Sequence, residues 1–160
     1  MIRKATATDF QFFYYLYMHP SINPWLLYEA MDEAAFALIW KQLLQTEVLY
    51  VFENDGEAIG MFKLVPLQHR TSHIAYLGGV AIHPAYLGKG FGKKMLGEIL
   101  ALGRKMGFLR IELSTATNNQ KAIALYEQIG FVQEGVLRKF SYLASEGIFL
   151  DEVMMGYLYS

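Results

Sequence analysis

The sequence predicts a mixed α/β fold: a central twisted sheet of about six or seven strands flanked by about four helices. Three observations carry that expectation. Short alternating or β-branched runs recur along the chain, and apolar residues at helical spacing separate several of them. In the middle of the chain a strand, a glycine-rich turn and an amphipathic helix follow one another directly. The length of 160 residues and a hydrophobic content of 54% suit one domain with one substantial core, spanning residues 1–160.

Ile2 to Ala5 reads as a first strand. Thr8 or Asp9 then caps an aromatic helix that Pro20 brings to a stop. Asn23-Pro24 breaks the chain, and Met31 to Gln45 forms a second helix with Ala34, Leu38, Trp40 and Leu44 as its apolar positions. Val48 to Glu53 and Ala58 to Leu67 flank Asn54-Asp55-Gly56, residues that tolerate positive backbone dihedrals, so the pair is a hairpin. His73 to Ile82 is a largely buried fourth strand. A helix from about Gly90 to Met106 carries Met95, Ile99, Leu102 and Met106 on one stripe, beside Leu96 and Leu100. Leu109, Ile111 and Leu113 alternate with polar residues as a fifth strand, and Asn118 or Asn119 caps a helix that ends at Gly130. Phe131 to Tyr142 and Ile148 to Tyr159 close the chain as two strands.

Composition removes several classes of function. The formal net charge is −1 and there is no long basic run, so the electrostatic footprint of a general nucleic-acid binder is missing. Absence of cysteine excludes disulfides, thiolate metal sites and a cysteine nucleophile, and it fits the reducing cytoplasm. No run approaches the roughly 20 apolar residues that span a bilayer, so no membrane partner is expected.

Leu87-Gly88-Lys89-Gly90-Phe91-Gly92-Lys93 sets consecutive backbone N–H groups at a helix N-terminus, where unpaired donors and the helix dipole attract an anion. Glycine suits such a site because a side chain would hold a bulky phosphate off the backbone, and because the turn needs positive dihedrals. Two known phosphate motifs do not fit. A P-loop requires glycine at the position of Leu87 and serine or threonine at that of Lys94. A dinucleotide fingerprint requires glycine or alanine at Lys93 or Met95. Gly78-Gly79 inside an apolar strand marks a bulge or a close backbone approach.

The segment from Val80 to Leu96, VAIHPAYLGKGFGKKML, resembles the acetyl-coenzyme A signature of the GNAT superfamily of N-acetyltransferases. The segment from Asn119 to Phe131, NQKAIALYEQIGF, is similar to that family's second signature at its usual distance downstream. One departure is Leu87, where the family usually has arginine or glutamine and uses the backbone amide on the pyrophosphate. The resemblance implies acetyl-CoA as cofactor. It assigns cofactor contacts to Val80, Ala81, Ile82, Leu87, Gly88, Lys89, Gly90, Phe91, Gly92, Lys93, Asn119, Ala122 and Tyr126. In the family the fourth and fifth strands splay apart and the pantetheine arm pairs with the fourth, here with the main chain of Val80 and Ile82. The Val80 N–H would also stabilise the oxyanion.

The same resemblance implies direct attack by a neutral amine, with Tyr126 protonating the leaving thiolate. Without the motif, Tyr126 reads equally as a packed tyrosine and Asn119 as a helix cap. Candidates for the base are Tyr76, His73, Glu112 and His83, the last expected to face solvent; Tyr76 occupies a place where some relatives carry a glutamate. The acceptor pocket falls to the first two helices and the last hairpin. Tyr28, Trp25 and Tyr142 there would suit the primary amine of a small molecule such as an amino acid, with Tyr14 and Tyr17 nearby. The closing stretch is also similar to family members acting on protein N-termini or polyamines. A non-catalytic acetyl-CoA-binding sensor is the remaining alternative, and an exposed final strand offers a route to a homodimer.

Overall fold

The computed structural model describes residues 1–160. Strands β1 (Ile2–Lys4), β2 (Leu49–Asn54), β3 (Glu57–Pro66), β4 (Ile74–Ile82), β5 (Arg110–Ala116), β6 (Val132–Leu143) and β7 (Ile148–Leu158) form one sheet in the order β1-β2-β3-β4-β5-β7-β6. All neighbours are antiparallel except β4 and β5. Helices α1 (Phe10–Met18) and α2 (Glu33–Gln45) cover one face, where Phe13, Leu16, Phe36 and Trp40 pack on Val51, Met61 and Ala81. Helices α3 (Phe91–Lys105) and α4 (Gln120–Ile129) cover the other, packing Met95, Ile99 and Ile123 on Phe62, Leu77, Leu113 and Met155. The seven strands and four helices are the mixed α/β class expected. No helix is long and apolar enough to cross a membrane.

Local chemistry accounts for most boundaries. Asp55 and Gly56 both take positive φ, at 52° and 80°, which is what a tight β2–β3 hairpin demands. Asp32 caps α2 by accepting from the Ala35 N–H at 2.8 Å. Gly130, at φ 115°, ends α4 in the left-handed region.

Several sequence expectations shift. Helix α2 buries Phe36 and Trp40, four residues apart, while Ala34 and Leu38 face solvent, Leu38 at 70% exposure. Phe36 and Leu38 lie about 200° apart around a helix, so only one can point inward, and the larger aromatic does. Met106 caps α3 and is exposed instead of completing its stripe. Leu109 lies before β5 and is exposed; its N–H and C=O are spent on His73 and Tyr159, and Phe108 takes the buried place. Neither Thr8 nor Asp9 caps α1 through its side chain, and the Asn119 side chain, at the N-cap of α4, donates to Thr115 Oγ1 at 3.3 Å without capping.

Asp9 has another task. Its carboxylate accepts both terminal nitrogens of Arg3 at 2.8 Å and the Thr6 N–H at 2.8 Å, while Arg3 Nε donates to Glu53 at 2.6 Å. This pins β1, the Ala7–Asp9 turn and the end of β2 together. The Arg3 hydrogen bond, outweighing burial, holds the Asp9 carboxyl below its ordinary range. A carboxyl with a depressed folded-state pKa adds stability above its unfolded value and loses it as pH falls through the folded one. Asp9→Asn is therefore expected to lower stability by about 1–3 kcal/mol at neutral pH. In thermal melts across pH, the deficit should be full above about pH 4 and shrink below it.

Candidate active site

Strand β4 ends at Ile82, a short 3-10 turn follows over Pro84–Tyr86, and α3 begins at Phe91. Between them Gly88 and Gly90 adopt φ of 73° and 82°, and open space surrounds the position of a Cβ at either. The glycine requirement at these two positions is therefore one of dihedral angle. Gly92 differs: a Cβ there would sit 3.3 Å from Leu125 Cδ2, so it lets α3 start close against α4. The first helical hydrogen bond runs from Lys94 to Gly90 at 3.1 Å, and the amides of Gly88 through Lys93 donate to no protein acceptor. Six consecutive free N–H groups at the positive end of α3 form an anion cradle. The Leu87 amide is not part of it, since it donates to the Pro84 carbonyl at 3.3 Å, and the Leu87 side chain is 57% exposed.

The central strands then part. β4 pairs with β5 only at Ile74–Tyr76 against Arg110–Glu112; beyond that point β5 stays with β7 to Ala116 and β4 stays with β3 to Ile82. A cleft of about 480 Å³ runs from this fork to the glycine turn. It is lined by Val80, Ala81, Ile82, Leu87, Gly88, Gly90, Phe91, Gly92, Lys93, Ala122 and Tyr126, all singled out from sequence. Lys89 and Asn119 lie outside the lining; the Lys89 ammonium sits over the Tyr86 ring at 5.6 Å. Tyr86, Met95, Leu96, Leu125 and Gln128 line the cleft and were not foreseen, although Leu125 follows Ala122 at helical spacing.

β4 carries a bulge at the mouth of the fork. Met61 pairs with Ala81 and Lys63 with Gly78, so Gly79 and Val80 together oppose Phe62, and Gly79 takes φ 58°. The His83 N–H donates to Ile59 on β3 at 2.8 Å. By alternation along the strand, the main chains of Ile82 and Val80 point away from β3 and into the fork.

Tyr126 enters the fork from α4. It is 8% exposed, with Phe131 edge-on at 5.7 Å. Burial first, and then the neighbouring Tyr76, push its phenol far above the ordinary range. No buried side-chain polar atom lacks a partner, and the Tyr126 hydroxyl has none in the protein, so it opens onto the cleft. Tyr76 sits where pairing stops, across from Glu112 on one side and Val65 on the other. The other base candidates are elsewhere or occupied. Glu112 is held by Arg110 at 3.0 Å, which also grips Glu134. His73 is exposed at the start of β4. His83, expected in solvent, is half-buried, stacked on Tyr15 at 5.0 Å with Nδ1 accepting from the Ala85 N–H.

Across the sheet, Asn23 is buried and donates to the carbonyls of Tyr17 and Tyr28 at 2.8 and 2.9 Å, fixing the α1–α2 loop. That loop meets the β6–β7 hairpin where Glu29 accepts from the Ala144 N–H at 3.0 Å. Tyr28 packs on Tyr17 at 5.7 Å, and the Tyr17 hydroxyl lies 2.9 Å from where a Gly79 Cβ would be. Tyr14 belongs to the core with Phe10 and Phe36. Trp25 is half-exposed on the loop, and Tyr142 is exposed on the hairpin against Phe149, so of the three expected acceptor residues only Tyr28 is placed beside β4. Lys63, which the sequence reading passed over, lies there too, its ammonium 6.0 Å from the Tyr28 ring centre.

Residues 10–131 match the model of the acetyltransferase (GNAT) family. The uncharacterised N-acetyltransferase YjgM of Escherichia coli K12 is 39% identical over 82 residues, which is 51% of this chain and 49% of that protein. The chain spans about half the length of the curated relatives it matches. Among solved structures, a spermidine N-acetyltransferase from Vibrio cholerae in complex with CoA and spermine superposes with a TM-score of 0.85 at 22% identity, covering 99% of this chain and 94% of that one. A ribosomal-protein-alanine N-acetyltransferase from Brucella melitensis gives 0.81 at 21%, covering 99% of each. Likeness at such identity establishes the fold, and the family match over three quarters of the sequence goes further: the chain belongs to the GNAT acetyltransferase family.

Proposed function

We propose that residues 1–160 act as one domain that transfers an acetyl group from acetyl-CoA to the primary amine of a small molecule such as an amino acid, by direct attack. The observation that carries this reading is the open fork, which joins six free amides at one end to the Tyr126 hydroxyl at the other. Acetyl-CoA, as second substrate, supplies the thioester carbon that the amine attacks. The amides of Gly88 through Lys93 would hold its pyrophosphate, assisted by the α3 dipole and Lys93. The main chains of Val80 and Ile82 would take the pantetheine arm as an added strand, and the Val80 N–H would face the carbonyl oxygen as negative charge grows there.

Tyr126 holds its proton at neutral pH. Burial raises its phenol above the ordinary tyrosine range, so the hydroxyl is available as a donor to the departing sulfur. Its role in this account is to donate a hydrogen bond to sulfur as the C–S bond breaks. The C–N bond forms in the same exchange, and the proton that ends on the thiol leaves the acylated nitrogen through Tyr76 or water.

A non-catalytic acetyl-CoA sensor is the second reading, favoured by the commitment of Glu112 to Arg110 and of the Leu87 amide to Pro84. The names of the Vibrio and Brucella proteins keep polyamines and protein N-termini among the candidate acceptors. The lack of cysteine supports placement in the cytoplasm. The final strand, β7, is paired on both sides by β5 and β6 and offers no free edge, so a homodimer would form instead through the exposed edge strand β6.

Two measurements check the reading. Tyr126→Phe is expected to lower kcat by about 10²-fold with acetyl-CoA affinity unchanged, followed as thiol release over an amine panel. Undiminished turnover would remove its role, and no thiol release by the wild type with any amine would favour the sensor. Gly90→Val forces a β-branched residue into a left-handed dihedral that distorts the amide cradle, and calorimetry should show coenzyme A affinity falling at least about tenfold.

A further inference from the structure

Lys63 extends from β3 on the α1–α2 side of the sheet, the same side as the buried Met61 two residues before it. Its stem lies along the bulge of β4: a Cβ on Gly78 would meet Lys63 Cε at 2.9 Å, and one on Gly79 would meet Lys63 Cγ at 3.9 Å. The ammonium rests near the face of Tyr28, the Tyr17 hydroxyl reaches the same bulge from α1, and the Tyr76 ring borders Gly78. Lys63 is half-buried and forms no ion pair. Burial lowers its pKa, with no carboxylate opposing the shift. On the same sheet, Glu112 is paired with Arg110 and Glu152 accepts from Ser114 at 2.8 Å, and neither forms an ion pair with Lys63. A partly desolvated cation with no counter-ion is costly unless something supplies the charge.

We infer that Lys63 is a specificity-determining residue that binds the carboxylate of the acceptor, so that the acceptor is an α-amino acid and not a polyamine. This rests on the transfer reading proposed above and names its substrate class. Spacing supports it. Lys63 pairs with Gly78, two residues from the Val80 N–H, on the order of 7 Å along the strand. An α-carboxylate held by the ammonium would leave the α-amine near the thioester carbon. The Tyr17 hydroxyl offers the carboxylate a second donor, and Tyr28 an apolar wall for the side chain. A single cation matches a single negative charge, whereas a phosphate dianion would keep an uncompensated charge at the fork. A polyamine would set its second ammonium against Lys63.

The test uses the full chain with coenzyme A bound and paired probes that differ only in the carboxylate: phenylalanine against phenethylamine, leucine against 3-methylbutylamine, with spermidine alongside. Binding is read by calorimetry and turnover by thiol release from acetyl-CoA. The wild type is expected to bind at least one amino acid about tenfold to a hundredfold more tightly than its decarboxylated partner, as a charge-assisted hydrogen bond implies. Lys63→Met, which keeps the stem, should erase that preference without changing coenzyme A affinity, and Lys63→Arg should restore part of it. If Lys63→Met does not fold, Lys63→Gln, which keeps part of the stem and a polar end without the charge, takes its place in the same comparison. Turnover with equal use of acid and amine, or a preference that survives in Lys63→Met, overturns the Lys63 assignment and leaves acetyl transfer standing. Lys63-dependent amino-acid binding without thiol release would instead sink the transfer reading and keep the carboxylate site.

Discussion

The rest of this structure depends on one interrupted strand pairing. β4 and β5 are the parallel pair at the centre of the sheet, and their ladder stops at Tyr76 and Glu112. Buried backbone N–H and C=O groups require partners, so a central strand edge that opens inside a protein asks for something to complete it. Here the neighbouring strands hold the opening rigid: β3 supports β4 to Ile82, and β7 supports β5 to Ala116. The bulge at Gly79 and Val80 bends β4 where it leaves its partner, and the α3–α4 face and the α1–α2 face reach the opening from opposite sides. One side brings the amide cradle and Tyr126; the other brings Tyr17, Tyr28 and Lys63.

Electrostatic allocation separates framework from chemistry. The carboxylates paired with guanidinium groups are structural: Asp9 and Glu53 on Arg3, and Glu112 and Glu134 on Arg110. These bonds tie the sheet edge and the β5–β6 region. Along the cleft and its α1–α2 side the polar groups are phenols, free amides, the Gln128 amide and the unpaired ammoniums of Lys63 and Lys93, with no carboxylate among them. That contrast argues for a reaction in which positioning and hydrogen bonding stabilise charge, and in which no carboxylate takes the proton directly.

Much of this was legible in the sequence because it rests on local rules. Glycines at 88 and 90 need positive φ, Gly130 ends α4, and Asp55-Gly56 makes the hairpin. The Gly78-Gly79 pair is itself a local mark of the bulge. Less legible were features set by long-range pairing. Neither the end of the β4–β5 ladder nor the escape of Glu112 to Arg110 has a local mark. Leu38 misled because spacing alone does not say which of two apolar stripes a sheet will cover, and Phe36 prevailed by size; Met106 misled because α3 ends at Lys105, one residue before it. Lys63 did leave a trace, a lysine at the same parity as buried Met61 in a strand covered on both faces, but its meaning depends on Tyr28 arriving from the far loop.

The most direct test of the account is a crystal structure of the protein with coenzyme A. The account predicts that the pyrophosphate accepts from the amides of Gly88 through Lys93, that the pantetheine arm pairs with the main chains of Val80 and Ile82, and that the sulfur lies within hydrogen-bonding reach of the Tyr126 hydroxyl. A coenzyme bound outside the fork, or a fork that closes into continuous β4–β5 pairing with Tyr126 turned away from the sulfur, would contradict it.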